Sequence, residues 1–188
     1  MGLCSRPNLG RASIDRFNVL ILDKTINLNC TDQSGLTPLL LLCLNNQSDS
    51  LYEHVQLLLQ SERVNVHATT RDRWNALLLA CHHYGGKKLL EIVKLFIHQG
   101  IDVKQTSRSE MNALFALILN QSEEQDPRLF DIVKSLVDAG LDASAKCSGL
   151  SVFDNLTRRH GQHQDFSRIV QYLTKKEVMV NGRQTNVF

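Results

Sequence analysis

Short apolar runs recur along the chain at a nearly constant spacing. The clearest run extends from Leu39 to Cys43, and equivalent runs are centred on Leu77, Leu114 and Phe153. These reference positions lie 38, 37 and 39 residues apart. A period in this range is typical of solenoids built from stacked supersecondary units. The pattern therefore predicts a repeat protein with four units whose loops vary in length.

A second apolar segment follows each of these runs. Its apolar residues recur at i, i+3 and i+4, the one-sided spacing of an amphipathic helix. The four segments cover residues 55–59, 92–97, 132–137 and 169–173. Each unit is therefore predicted to contain two helices, which a polar loop connects.

Several residues mark where these helices begin and end. Ser50 and Glu53 have the Ser-x-x-Glu spacing of a capping box. Asp126–Pro127 supplies an N-cap and a first-turn proline in the third unit. Gly100 and Gly140 follow the second helices, where a residue with positive φ commonly ends a helix. These signals favour a helix-loop-helix unit.

The two halves, in this order and register, resemble the ankyrin repeat. The best match is Gly35-Leu36-Thr37-Pro38-Leu39, and Gly100-Ile101-Asp102-Val103 is the second best. The resemblance covers roughly residues 14–174. It implies an all-α solenoid of stacked helix-loop-helix units with protruding turns. The units are longer than the usual ankyrin period of about 33 residues, and the excess falls between the helices, so long inter-helix loops are expected.

The resemblance also predicts the organisation of the chain. We expect a flexible lead-in (1–13), a partial capping repeat (14–29), three repeats (30–67, 68–104 and 105–144), a degenerate capping repeat (145–176) and a tail (177–188). Only the first unit keeps the Thr-Pro pair of the family; the others have Asn75-Ala76, Asn112-Ala113 and Ser151-Val152. Whether the chain is a segment of a longer array is left open.

The turn glycine of the family is retained only in the outer units. Gly35 and Gly149 occupy this position, but the middle units have Arg73 and Glu110. A non-glycine residue at positive φ costs on the order of 1 kcal/mol. Either the middle turns differ in shape or their side chains serve a surface. Because repeats tolerate irregular turns, the first interpretation is favoured.

The resemblance implies that a partner protein binds the turn tips and the exposed side of the first helices, which form a concave groove. The candidate partner-binding residues are Leu36, Arg71, Arg73, Trp74, Arg108, Met111 and Leu150. Trp74 is the only Trp, and Trp and Arg are enriched at binding hot spots. The four apolar members occupy one equivalent position. They form either an exposed apolar ladder or a seal between neighbouring turns, with Trp74 the leading candidate for a true contact.

Composition and charge limit the alternatives. Apolar residues make up 43% of the chain, and 21 basic residues face 19 acidic ones, for a net charge of +2. This balance gives no reason to expect a membrane or nucleic-acid surface. One weaker alternative is a contact with nucleic acid or a phosphoinositide through the basic residues of the second unit, which are Arg63, His67, Arg71, Arg73, Lys87 and Lys88. Another is a regulatory or recruiting subunit of an enzyme complex, such as a ubiquitin ligase adaptor.

No catalytic, cofactor-binding or metal-binding residues are predicted. The sequence has no nucleophile elbow, Walker loop or dinucleotide fingerprint. His82 and His83 are adjacent and are expected to point to different faces of a helix, so they would not share a metal. The five cysteines have no Cys-x-x-Cys pair, and Cys43 and Cys81 are expected to be buried thiols. With no signal segment, we expect a monomeric protein of the cytoplasm or nucleus.

Overall fold

The computed structural model describes residues 18–45, 48, 50–120, 128–160 and 167–176. The helices are α1 (18–22), α2 (Pro38–Asn45), α3 (Leu51–Gln60), α4 (Ala76–His83), α5 (Leu89–His98), α6 (Ala113–Asn120), α7 (Leu129–Asp138), α8 (Val152–His160) and α9 (167–176). Two short strands, β1 (Lys146–Cys147) and β2 (Leu150–Ser151), form an antiparallel pair. The predicted lead-in, the tail and the Asp126–Pro127 N-cap lie outside the described residues.

The helices pair within units and stack between units. The first helices pack in the order α2, α4, α6 and α8, and the second helices pack in the order α3, α5 and α7. Within the units α2 contacts α3, α4 contacts α5, and α6 contacts α7. The predicted all-α ankyrin-type solenoid is therefore confirmed, with the β1–β2 pair as its small β element.

The burial pattern explains why the two helices of a unit differ in sequence. In α4 every residue from Ala76 to Cys81 is buried, because this helix has neighbours on three sides. In α5 only one stripe is buried, which contains Leu89, Ile92, Val93 and Phe96. Each fully buried Leu, Ile or Phe contributes roughly 1.5–3 kcal/mol. The first helix α4 therefore contributes an unbroken buried run to the core, and the second helix α5 contributes a single stripe.

Asparagine replaces threonine at the start of the middle first helices and makes one additional bond. Asn75 Oδ1 accepts a hydrogen bond from the backbone N–H of Leu78 at 2.9 Å, and its Nδ2 donates to the Asp102 carbonyl at 2.9 Å. Asn112 makes the same pair of bonds in the next unit, at 3.0 and 3.2 Å. In the first unit Thr37 Oγ1 accepts only the N–H bond, at 3.4 Å. The apparent departure from the family pattern therefore caps the helix and also fixes the loop after the second helix.

A capping box is present in α8, but the one predicted for α3 is not formed. Ser151 Oγ accepts from the Asp154 N–H at 3.1 Å, and Asp154 Oδ2 accepts from the Ser151 N–H at 2.8 Å. Ser50 precedes α3, but its φ of -75° and ψ of -3° are helical, and its side chain makes no capping bond. A capping box needs an extended N-cap residue, so the prediction based on Ser50 and Glu53 is wrong.

The predicted glycines at the ends of the second helices are confirmed. Gly100 has φ of 74° and Gly140 has φ of 99°, and Glu62 takes the same position after α3 with φ of 54°. The residue that follows is a buried Ile or Leu in the later units, but in the first unit it is Arg63. Its guanidinium donates to the carbonyls of residues 21, 23, 24 and 26. Arg63 therefore attaches the first unit to the chain that follows α1.

A polar cluster attaches α9 to α7. The Asp138 carboxylate accepts hydrogen bonds from Lys134 Nζ at 2.6 Å, Lys176 Nζ at 2.7 Å and the Tyr172 hydroxyl at 2.8 Å. These bonds, led by the one from Lys134, hold the pKa of Asp138 well below its usual range. The Tyr172 ring also lies edge-on to Phe130, with 5.7 Å between centroids. The last described helix is therefore held by both polar and aromatic contacts.

Gly86 lies in the loop between α4 and α5, directly against a buried ring. Tyr84 is fully buried, and a Cβ atom on Gly86 would lie 2.4 Å from its Cζ. The neighbouring Gly85 has no atom within 4 Å of such a Cβ. Only one of the two glycines is therefore required by packing.

The first prediction compares these two glycines. Gly86→Ala is expected to lower the free energy of unfolding by about 1–3 kcal/mol, because the methyl group overlaps a ring that has no space to move. Gly85→Ala should change it by no more than about 0.5 kcal/mol. Urea titrations followed by circular dichroism measure both. Equal effects from the two variants would contradict the packing argument.

The second prediction separates the two bonds of Asn75. Asn75→Ala removes both bonds and is expected to cost about 1–3 kcal/mol, since it deletes a cap and leaves the Asp102 carbonyl unsatisfied. Asn75→Thr keeps an oxygen for the cap and should lose only part of this free energy. Thermal and urea unfolding of the three proteins test the order. If the Thr variant is as unstable as the Ala variant, the cap contributes nothing measurable.

Candidate functional site

The turns before α2, α4 and α6 share one hydrogen-bond pattern. The backbone N–H of the first turn residue donates to the carbonyl four positions later: Asp32 to Leu36 at 3.1 Å, Thr70 to Trp74 at 2.9 Å and Ser107 to Met111 at 2.9 Å. The first carbonyl of each turn accepts from the N–H of Gly35, Arg73 or Glu110 at 3.0, 2.9 and 3.1 Å. This is the pattern of a three-residue hairpin loop that ends with a left-handed residue. The first three turns therefore have the same shape.

Arg73 and Glu110 adopt the conformation that glycine has in the outer units. Their φ angles are 66° and 62°, beside 80° for Gly35 and 78° for Gly149. The expectation that the middle turns differ in shape is therefore wrong: they keep the same turn and bear a strain of about 1 kcal/mol each. Both side chains are exposed, and the described part of the chain offers them neither a hydrogen bond nor an ion pair.

Two of the candidate arginines link neighbouring turns. Arg71 Nη2 donates to the Gln33 carbonyl at 3.3 Å, and Arg108 Nε donates to the Arg71 carbonyl at 2.9 Å. The backbone N–H of Arg108 also donates to the Asp72 carbonyl at 2.9 Å. Arg71 and Arg108 thus have a structural contact although both are exposed, and Arg73 does not.

The four apolar candidates at the turns are neither fully exposed nor fully buried. Leu36, Trp74, Met111 and Leu150 are all half-buried, and the first three pack against the core. The predicted seal and the predicted exposed ladder are therefore both present in part. One portion of each side chain is covered and the other portion is open to solvent. The same side chains are available for contact without any rearrangement of the fold.

Trp74 forms a ring cluster with the two histidines at the end of α4. Its ring centroid lies 5.1 Å from that of His82, in an edge-on arrangement, and 6.4 Å from that of His83. The two histidine centroids are 4.5 Å apart. The expectation that the histidines point to different faces is wrong. Neighbouring residues of a helix are rotated by about 100° around its axis. This rotation directs their Cβ atoms apart, but the imidazole rings beyond them can still meet.

Burial disfavours the protonated form of both histidines in the cluster. Burial lowers the pKa of His82 and of His83, and the proximity of His82 lowers that of His83 further. His82 Nδ1 is buried and has no hydrogen-bond partner among the described residues. The cluster therefore offers aromatic edges, which are a surface for packing, while His82 Nδ1 lies beneath that surface.

Within the described ranges, no three His, Cys, Asp or Glu side chains group together as a metal site requires. The helices described here are also too short or too polar to span a bilayer. These two findings add no chemistry to the ring cluster or to the turns.

The basic residues of the second unit do not form one surface. Arg63 is bonded to backbone carbonyls, Arg71 to Gln33, and Lys88 Nζ lies 5.9 Å from the centroid of the Tyr52 ring. Arg73 precedes α4 and Lys87 follows it. The length of α4, about 12 Å, therefore separates the backbone positions of these two residues. These side chains are therefore divided between contacts within the fold and the two ends of α4.

The sequence analysis missed His82 and His83 as members of the site. The available signal was their proximity in sequence, since they lie eight and nine positions after Trp74. This proximity does not predict a ring contact, because Trp74 precedes the helix that carries the two histidines. The ring contacts themselves depend on side-chain rotamers, which spacing does not determine.

The third prediction concerns the strain at Arg73. Arg73→Gly is expected to raise the free energy of unfolding by about 1 kcal/mol, because glycine adopts positive φ without the Cβ clash. Arg73→Ala removes the same side chain but keeps the clash, so it should bring no gain. Urea unfolding of both variants provides the measurement. A gain for Ala as large as that for Gly would show that side-chain charge, and not strain, controls stability here.

The fourth prediction concerns pH. The folded-state pKa values of His82 and His83 lie below the unfolded value of 6.5, so the unfolded chain takes up protons first and stability falls as the pH drops through this value. A His82→Gln, His83→Gln variant should lose less stability than the wild type between pH 7 and pH 5. Parallel unfolding curves at both pH values decide this. Identical losses would contradict the assigned shifts.

Comparison with known families agrees with this architecture. The model of ankyrin repeats in three copies matches residues 10–107, slightly more than half of the 188-residue chain. A search of curated proteins found no match. The family match ends within the third unit, and beyond it α6 and α7 continue the same paired and stacked arrangement. The chain therefore belongs to the ankyrin repeat family.

Proposed function

We propose that this protein is a non-catalytic interaction module that binds a partner protein through its turn tips and the adjoining ends of its first helices. Ankyrin repeats generally act as protein–protein interaction modules. The observation that carries the proposal is the ring cluster of Trp74, His82 and His83. It combines the only Trp of the chain with two neighbouring histidine rings, and all three residues are half-exposed.

The physical features of the cluster support an anchoring role. Half-exposed aromatic rings provide a large contact area at low entropic cost, and Trp is enriched at binding hot spots. Leu36 and Met111, half-buried on either side, extend the apolar contact area along the stack.

The state of the cysteines supports a reducing compartment. Cys30, Cys43, Cys81 and Cys147 are unpaired thiols. Burial raises the pKa of Cys81 to about 12 and that of Cys43 higher still, so these two thiols have little thiolate to react. Unpaired cysteines are usual in the cytoplasm and nucleus, and we propose one of these compartments for this protein.

The fifth prediction tests the binding surface. The purified protein and its Trp74→Ala variant are used to capture proteins from cell extract, with captured species quantified by mass spectrometry. Partners captured by the wild type should be lost, or reduced at least about tenfold, with Trp74→Ala, because removal of a hot spot costs 2 kcal/mol or more.

Lys94→Ala is the matched control. Lys94 is exposed on α5, away from the turns, and its loss should leave capture unchanged. Circular dichroism confirms that each variant folds before capture is compared. If a folded Trp74→Ala variant retains every partner of the wild type, the proposed surface is not the binding site.

A further inference from the structure

We propose that the partner presents an extended segment in which an acidic and a basic side chain, three residues apart, pair with Arg73 and Glu110. This inference deepens the proposed function and rests on it. The proposed function gives the location of the binding surface, and this inference gives the charge pattern of the ligand. The inference rests on one observation: two oppositely charged side chains occupy equivalent, strained positions in adjacent turns.

Four turn positions allow a direct comparison. In the outer units the residue with the left-handed conformation is a glycine, Gly35 or Gly149. In the middle units it is Arg73 or Glu110. Glycine would remove the strain in the middle units as it does in the outer ones. Strain at a surface position that has no compensating contact is a signature of function. The two middle turns are therefore the positions where a side chain matters.

Neither side chain is used by the fold. Arg73 and Glu110 are exposed, and none of the described residues pairs with either charge. Arg71 and Arg108, by contrast, donate to backbone carbonyls of the preceding turn. Glu62 and Ser148 also have positive φ, but Glu62 ends α3 outside the row of turns and Ser148 carries no charge. The free charges at this turn position are thus one cation and one anion.

The stacking of the turns sets the spacing of the two backbone positions that carry these charges. The Arg108 N–H bonds to the Asp72 carbonyl at 2.9 Å, which joins the two middle turns directly. Equivalent positions of packed helical units are about 8–10 Å apart. A polyproline-type extended segment rises about 3.1 Å per residue with three residues per turn. Residues i and i+3 of such a segment share a face and lie about 9 Å apart, which matches the turns.

The charge pattern argues against a polyanion. Asp72 is exposed beside Arg73, and Glu110 stands on the next turn. A phosphate chain would meet repulsion at both residues, whereas a segment of mixed charge meets one attraction per turn. Trp74 follows Arg73 directly in sequence, so an apolar residue of the segment can contact the Trp74 ring beside the pair that Arg73 forms.

A displayed library of random dodecapeptides tests the proposal. The library is selected against the wild type, against the charge-swapped variant Arg73→Glu with Glu110→Arg, and against Trp74→Ala. The swap keeps the net charge, the residue types and a non-glycine residue at each strained position, so it is a matched control for folding. Circular dichroism and thermal unfolding verify that the three proteins are folded.

The proposal expects wild-type peptides to carry an acidic and a basic residue three positions apart in one order, and peptides selected by the swapped variant to carry them in the opposite order. Synthetic peptides of each type should bind the matching protein at least about tenfold more tightly than the other, because like charges replace attractive pairs. The preference should weaken at high salt, since the pairs are exposed.

Two other outcomes distinguish a failure of the charge pattern from a failure of the proposed surface. Peptides that require Trp74 but show no charge order, or an order unchanged by the swap, would overturn the inference and leave the proposed surface standing. If no peptide distinguishes the wild type from Trp74→Ala, the proposed surface fails and the inference fails with it.

Discussion

The structure depends on the burial of the first helices between their neighbours. No unit can cover the apolar surface of its own first helix, so α4 is enclosed by α2, α5 and α6 together. This explains why its residues from Ala76 to Cys81 are all buried, and why the sequence has unbroken apolar runs there. The hydrophobic effect thus acts between units as much as within them, and the stack behaves as one core.

The same stacking determines where the functional groups lie. The turns that precede the first helices are joined by Arg71, Arg108 and backbone bonds, so their tips are held at a fixed spacing. Trp74 adds one ring from a turn, and His82 and His83 add two rings from the end of the next helix. A rigid frame of this kind pre-orders a contact surface, which reduces the entropy that binding costs.

Sequence reasoning succeeded where one local signal determines one local structure. The period of the apolar runs predicted the paired helices, and Gly100 and Gly140 were predicted from the backbone angle that only glycine adopts freely. It failed where the outcome depends on distant or rotamer-level contacts. The bond from Asn75 to Asp102 spans 27 residues, and the ring cluster depends on side-chain rotamers. Ser50 has the spacing of a capping box but not the extended backbone that one requires.

The most direct test of the account is whether the turn surface and the helical core unfold together. Trp74 is the only Trp, so its fluorescence reports on the second turn, while far-UV circular dichroism reports on all helices. The account predicts that both signals change with the same urea midpoint, because bonds on both sides tie this turn to the stack. A fluorescence transition at clearly lower urea, with the helical signal intact, would show that the turn surface is not held by the core and would contradict the account.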